Sequence, residues 1–196
     1  KAIAEVQKAW PQGMTYEDYR AQVEKLVEQG ATTGPNQSEA MVYYTQLNHK
    51  RMQKWDKRFE AHHDLVERLQ AKAEPEKWLI LTEAWCGDAA HSVPMLSRLA
   101  EKSGKIELRL VLRDEHPELM DHFLTRGGRS IPKLICLKED LSRVLGTWGP
   151  RPQKVQELMD RLKKEGESGK EVTRQVQLWY AKDRGVKLQE ELLQVL

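Results

Sequence analysis

The sequence predicts an α/β protein: a β-α-β-α-β-β-α unit over residues 75–165, with helical segments before and after it. Three observations lead there. Up to about residue 70, apolar side chains recur every three or four positions, the period of an amphipathic helix. Around Glu74-Pro75 that period stops, and a short run of strand formers begins at 77–82. Further on, Ile106, Leu108, Leu110 and Leu112 alternate with Glu107, Arg109, Val111 and Arg113, the two-residue period of a strand.

Taken in order, Tyr16, Tyr19, Val23, Leu26 and Val27 mark a helix that Thr15 caps and Gly30 ends. Residues 31–37 read as a loop broken by Gly34-Pro35-Asn36. Ser38 then caps a stripe running through Met41, Met52, Trp55, Phe59, His62, Val66 and Leu69, a single helix of about 30 residues with a bend near His62-His63. After the 77–82 strand, Val93, Leu96, Leu99 and Ala100 define a helix that stops near Gly104. Leu119, Met120, Phe123 and Leu124 form a short helix ending at Gly127-Gly128. Strands follow at 132–137 and 143–147, parted by the polar turn Lys138-Glu139-Asp140. Val155, Leu158, Met159 and Leu162 carry a helix over 151–164, and the tail 170–196 holds two more, parted by Gly185.

A chain of 196 residues is one domain or one domain with additions, and the pattern divides it into a helical extension (1–74), the α/β unit (75–165) and a second helical extension (166–196). With 32% charged residues and a mean hydropathy of -0.71, much of it is helix surface. Two cysteines exclude a disulfide framework, and no Cys/His spacing suits structural zinc, so neither metal nor cofactor is expected. Apolar runs such as 78–81 and 134–137 are far shorter than the roughly 18 residues of a membrane span. The 32 basic and 30 acidic residues are interspersed, which gives no footprint for nucleic acid or an anionic membrane. The chain opens on Lys1 rather than Met, leaving room for a removed upstream segment; the missing signal peptide points to a cytoplasmic location.

Four features then resemble one family. Trp85-Cys86-Gly87 sits where the first strand of the unit meets its helix; Pro94 follows eight residues after the cysteine; Ser130-Ile131-Pro132 precedes a later strand; and Gly146 with Trp148-Gly149 ends the last hairpin. In this order they resemble the thioredoxin superfamily, with its Trp-Cys-Gly-Pro-Cys motif, kinked helix and Thr-Ile-Pro. Trp-Cys-Gly-Asp-Ala, combined with the helical N-terminal extension and Trp-Gly-Pro-Arg-Pro at 148–152, looks most like uncharacterised bacterial thioredoxin-family proteins. The resemblance implies a thioredoxin-like fold, a central mixed sheet flanked by helices. It also implies Cys86 as the nucleophile and a substrate site from Trp85, Gly87, Asp88, Ile131 and Pro132. Pro132 would be cis beside the sulfur, and the main chain of Ile131 would be free to pair with an extended peptide.

The chemistry of these positions follows from physical reasoning. A cysteine at a helix N-terminus gains from the dipole and from unpaired N–H donors, so Cys86 is expected to ionise below the free value of about 8.5, with Asp88 opposing as a like charge. The family's second cysteine falls on Ala89 and its buried acid on Ile80, so a dithiol cycle on this motif is impossible. Cys136 is the alternative resolving thiol, but its core-facing parity with Leu134 points to a structural role. Single-thiol glutaredoxins are similar at Cys86-Gly87-Asp88-Ala89, yet their Gly-Gly motif follows the cis-proline, whereas Gly127-Gly128 precedes it here. Two functions are therefore expected. The first is monothiol thiol–disulfide exchange with a protein or low-molecular-weight thiol or disulfide, the mixed disulfide being resolved by an external thiol. The second is a redox-inert module that recognises a protein partner. His62-His63 do not converge on a metal, His91 is expected to face solvent, residues 50–59 form a solvated helix, and Trp148 is either a core anchor or a substrate contact.

Overall fold

A computed structural model describes residues 1–196. Thirteen elements follow one another: α1 (Ala2–Ala9), α2 (Tyr16–Glu28), α3 (Glu39–Arg58), α4 (His63–Gln70), β1 (Glu76–Thr82), α5 (Gly87–Ser103), β2 (Ile106–Leu112), α6 (Pro117–Met120), β3 (Lys133–Lys138), β4 (Val144–Trp148), α7 (Gln153–Lys164), α8 (Gly169–Asp183) and α9 (Val186–Val195). The strands form one mixed sheet in the order β2-β1-β3-β4. β1 pairs parallel with β2 and antiparallel with β3, and β3 pairs antiparallel with β4. This is the α/β, thioredoxin-like architecture that the element order implies.

β1 is buried on both faces, and its alternation sorts the core into two layers. Trp78 and Ile80 point to one side with Leu134 and Cys136 of β3, packing under residues from α2, α3, α4, α5 and α9. Leu79 and Leu81 point to the other with Ile135 and Leu137, against α1 and α6. Trp148 belongs to the first layer and donates its indole N–H to Glu191 at 2.8 Å, which makes it a core anchor. Cys136 is buried in the same layer, and burial pushes its thiol well above the ordinary range.

Where expectation and structure part, long-range contacts decide. The long stripe from Ser38 is two helices, α3 and α4, with Phe59 and His62 extended between them. The break is stable because Gln189, from α9, serves its backbone: Gln189 Oε1 accepts from His62 N at 2.6 Å, and its Nε2 donates to the Glu60 carbonyl at 3.3 Å. The helix expected around 119–124 is a single turn ending at Met120, after which Arg126 and Gly127 take positive φ in a Thr125–Gly128 turn. Helix α1 lies outside every periodic stripe read from the sequence; it buries Val6 and Ala9 in the second layer.

Two loops set the site's floor. Ile131-Pro132 and Gly149-Pro150 both have cis peptide bonds. Gly149, at φ +110°, lies so close under Pro132 that a Cβ there would run into the Pro132 carbonyl. Gly149→Ala is therefore expected to destabilise the protein by about 2 kcal/mol or more, read as a lowered urea midpoint. Gly30→Ala, at positive φ with open space around it, is expected to cost about 1 kcal/mol, from the backbone alone.

Candidate functional site

Cys86 is the N-cap residue of α5, with extended backbone (φ -82°, ψ 117°), because β1 delivers the chain straight into the helix start. Its Sγ accepts from Ala89 N at 3.5 Å and donates its S–H to the Ile131 carbonyl at 3.4 Å. Trp85, Cys86, Gly87 and Asp88 are half-buried and come together at one cavity, while Ile131 and Pro132 lie buried on the sulfur's other side. The Ile131 carbonyl, expected to be free for a peptide, is taken up by the thiol.

The expected acidification of Cys86 does not occur. Burial pushes its thiol up to about 12, and the Asp88 carboxylate pushes the same way; the N–H of Ala89 and the Arg151 guanidinium oppose them and lose. Dipole reasoning considers only the thiol's own helix, whereas the desolvation comes from the elements around it.

Asp88 is clamped on both oxygens. Arg151, in the loop after β4, donates Nε–H to Oδ2 at 3.0 Å, and Tyr180 of α8 donates its hydroxyl to Oδ1 at 2.6 Å. Arg151 also donates to Gln156 Oε1 at 2.6 Å. His91, expected at the surface, is buried one turn further along α5. Its ring stacks on Tyr180 with centroids 4.1 Å apart; Nδ1 accepts the Trp55 indole N–H at 3.0 Å, so Nε2 carries the hydrogen and donates to Gln177 Oε1 at 3.0 Å. Burial, reinforced by the Arg51 charge, lowers its pKa to about 3, and the ring stays neutral.

Helices α3 and α8 thus wall the groove beside Cys86. Between them is a cavity of about 360 Å³, within the range of small-molecule sites. Met41, Tyr44, Met159, Val172 and Val176 supply an apolar wall, and Arg51 supplies a cation. Arg51 is half-buried, donates to Asn48 Oδ1 at 2.9 Å, and has Nη1 3.3 Å from where a Gly87 Cβ would stand. Asn48 in turn donates to the Ala84 carbonyl at 2.9 Å, tying α3 to the chain just before Cys86.

Sequence reasoning passed over Asn48, Arg51, Gln177 and Tyr180, because only the folded α3 and α8 bring them to Cys86. It also passed over Glu83, which had a local signal: an acid inside the apolar run that leads into Trp85. Glu83 is 1% exposed, and neither carboxylate oxygen has a hydrogen-bond partner. Asp114 lies across Gly34 from it, and burial together with that carboxylate raises Glu83 to about 8 despite Arg113. A buried acid is therefore present, at residue 83 rather than at the Ile80 position.

A mixed four-stranded sheet, a cysteine capping the first helix after β1, and a cis-proline loop at its sulfur form one constellation. A thioredoxin family model matches residues 34–163, well over half of the sequence. The chain belongs to the thioredoxin family. Two solved structures share this thioredoxin-like fold. One is an HIV epitope scaffold, 17% identical with a TM-score of 0.61, covering 96% of this chain and 95% of its own. The other is a protein of unknown function from Pseudomonas aeruginosa, 19% identical with a TM-score of 0.52, covering 89% of this chain and 93% of its own. No curated protein matches the chain. No helix of this thioredoxin-family protein is long and apolar enough to cross a membrane.

The Glu83 carboxyl makes stability depend on pH. Between the ordinary value of 4.5 and the folded value of about 8, the unfolded chain has lost a proton that the folded protein keeps. Stability contributed by this group therefore falls as pH rises through that window, with a slope on the order of 1 kcal/mol per pH unit, and is level above it. Urea unfolding should show Glu83→Gln close to the parent at pH 4.5 and progressively more stable than it up to pH 8; a constant difference would contradict the assignment.

Proposed function

We propose that this thioredoxin-family protein is a binding module, and that the cavity beside Cys86 is where it takes its ligand. The observation that carries this reading is the cavity itself: α3 and α8 flank the groove and leave a half-open, largely apolar recess with Arg51 as its cation and the clamped Asp88 as its acid. An extended peptide lacks the Ile131 carbonyl, which accepts from Cys86. The space suits a small molecule or a single projecting side chain of a protein partner. With Ala89 at the position of a resolving thiol and Cys86 held protonated, the resting site is redox-inert.

Monothiol exchange is the second reading, favoured by the sulfur's place on the cavity wall with the Ala89 N–H aimed at it. In that reaction the Cys86 thiolate attacks one sulfur of a disulfide R–S–S–R′. A Cys86–S–S–R bond forms, the R′ thiolate leaves with the electron pair of the broken bond, and an external thiolate later displaces Cys86 from R.

Alkylation separates the two. At pH 7 a thiol with a pKa of about 12 is some three orders of magnitude less ionised than free cysteine. Iodoacetamide should therefore modify Cys86 at least a hundredfold more slowly than free cysteine, with Cys86→Ser as the control for Cys136. A rate equal to free cysteine, with formation of a mixed disulfide from a small disulfide, would favour exchange.

A further inference from the structure

A second cavity, of about 180 Å³, adjoins the first and shares Arg51, His91 and Gln177 with it. Its wall is strongly basic. Arg51, Lys54 and Arg58 come from one face of α3, at i, i+3 and i+7, and Arg184 comes from the end of α8, where the chain turns at φ +55°. No acidic residue lines it. None of the four cations has an ion-pair partner.

The neighbouring acids are occupied elsewhere. Asp56 holds Arg20 and Tyr16 on another face of α3; Asp88 is closed by Arg151 and Tyr180; Asp183 accepts from Lys187 N at 3.1 Å. His91 separates the cavities as a neutral ring, held so by the Trp55 N–H, and adds no charge. Like charges at this helical spacing repel one another, and folding adds Arg184 to the group, so an anion seated among the four cations relieves that repulsion.

We infer that this basic cavity binds the diphosphate end of a small molecule whose apolar part extends past Arg51 into the Cys86 cavity. Three guanidinium forks and one ammonium suit a multiply charged phosphate group, which guanidinium recognises bidentately. The recess lined by Met41, Val172 and Val176 adjoins the cations through their shared Arg51, so an apolar pocket lies beside the anion site, as suits a small molecule better than a single strand. The apolar half rests on the reading of the Cys86 cavity as a ligand site; the anionic half does not.

Calorimetric titration of the full chain at low ionic strength, first with inorganic pyrophosphate and then with butyl diphosphate, tests the two halves apart. Pyrophosphate is expected to bind once per chain. Lys54→Gln and Arg58→Gln, both exposed and outside the core, should each weaken it by about fivefold to tenfold. Arg174→Gln, on the same α8 but paired with Glu171, should leave it unchanged. The butyl ester should bind about tenfold tighter than pyrophosphate. Equal affinity for the two would overturn the Cys86 cavity as the seat of the apolar part while leaving the basic site intact. No saturable binding of pyrophosphate, or an equal loss in Arg174→Gln, would overturn the basic site. Tight binding of a single-stranded oligonucleotide that depends on Lys54 and Arg58, without pyrophosphate binding, would overturn it in favour of a nucleic-acid surface.

Discussion

Everything around Cys86 depends on how the Asp88 carboxylate is held. It stands in the first turn of α5, where its charge suits the helix dipole, yet it is largely withdrawn from water and needs partners. Arg151 reaches it from the loop after β4 and Tyr180 from α8, so one carboxylate joins the start of the central helix, the end of the hairpin and the C-terminal helical segment. Breaking a buried pair by removing one partner costs about 3 to 5 kcal/mol, because the remaining charge is stranded. Here the cost would fall on three elements at once. Tyr180, fixed by this bond, presents its ring to His91, and His91 orders Trp55 and Gln177; α3 and α8 are thereby held at a set distance on either side of the groove.

That arrangement explains the thiol. A cysteine at a helix N-terminus in an open groove would lose its proton readily, since water and the dipole both favour the thiolate. Covering the groove withdraws the thiol from water and Asp88 adds a negative charge close by; both raise its pKa, while the Arg151 guanidinium of the clamp opposes them without prevailing. Its S–H then finds an acceptor in the Ile131 carbonyl. The same enclosure that quiets the thiol makes the apolar cavity beside it. The raised pKa of the thiol and the apolar recess beside it are thus two results of one packing choice.

How much of this was legible beforehand follows the range of the interactions. β2 emerged from its alternation with the bounds the structure gives it, and α2 from its Thr15 cap, because both signals are local. The cysteine, Pro94 and Pro132 could be read for the same reason. A bend near His62-His63 could be read too, but not that it parts α3 and α4 completely, since the broken backbone is served by Gln189 from the far end of the chain. His91 looked like a surface histidine because its burial is made by Trp55, Gln177 and Tyr180, none of them on its own helix. The Cys86 shift runs opposite to the dipole's direction on the same account: the dipole belongs to α5 and is visible in the sequence, while the desolvation belongs to the fold.

Charge gives the last instance of this difference between local and assembled properties. A net charge of +2 from 32 basic and 30 acidic residues implies no special field, and the basic face of α3 alone reads as an ordinary solvated helix. Assembly changes the count that matters. The acids of the region are drawn inward or to other faces, Asp56 to Arg20 and Asp88 to Arg151, and the cations they leave behind are joined by Arg184 across the cavity. Within a Debye length of about 8 to 10 Å, the potential at that spot is set by these few groups rather than by the sum over the chain. An almost neutral protein can therefore carry a strongly positive site, provided its fold turns the nearby acids to other partners and gathers unpaired cations around one recess.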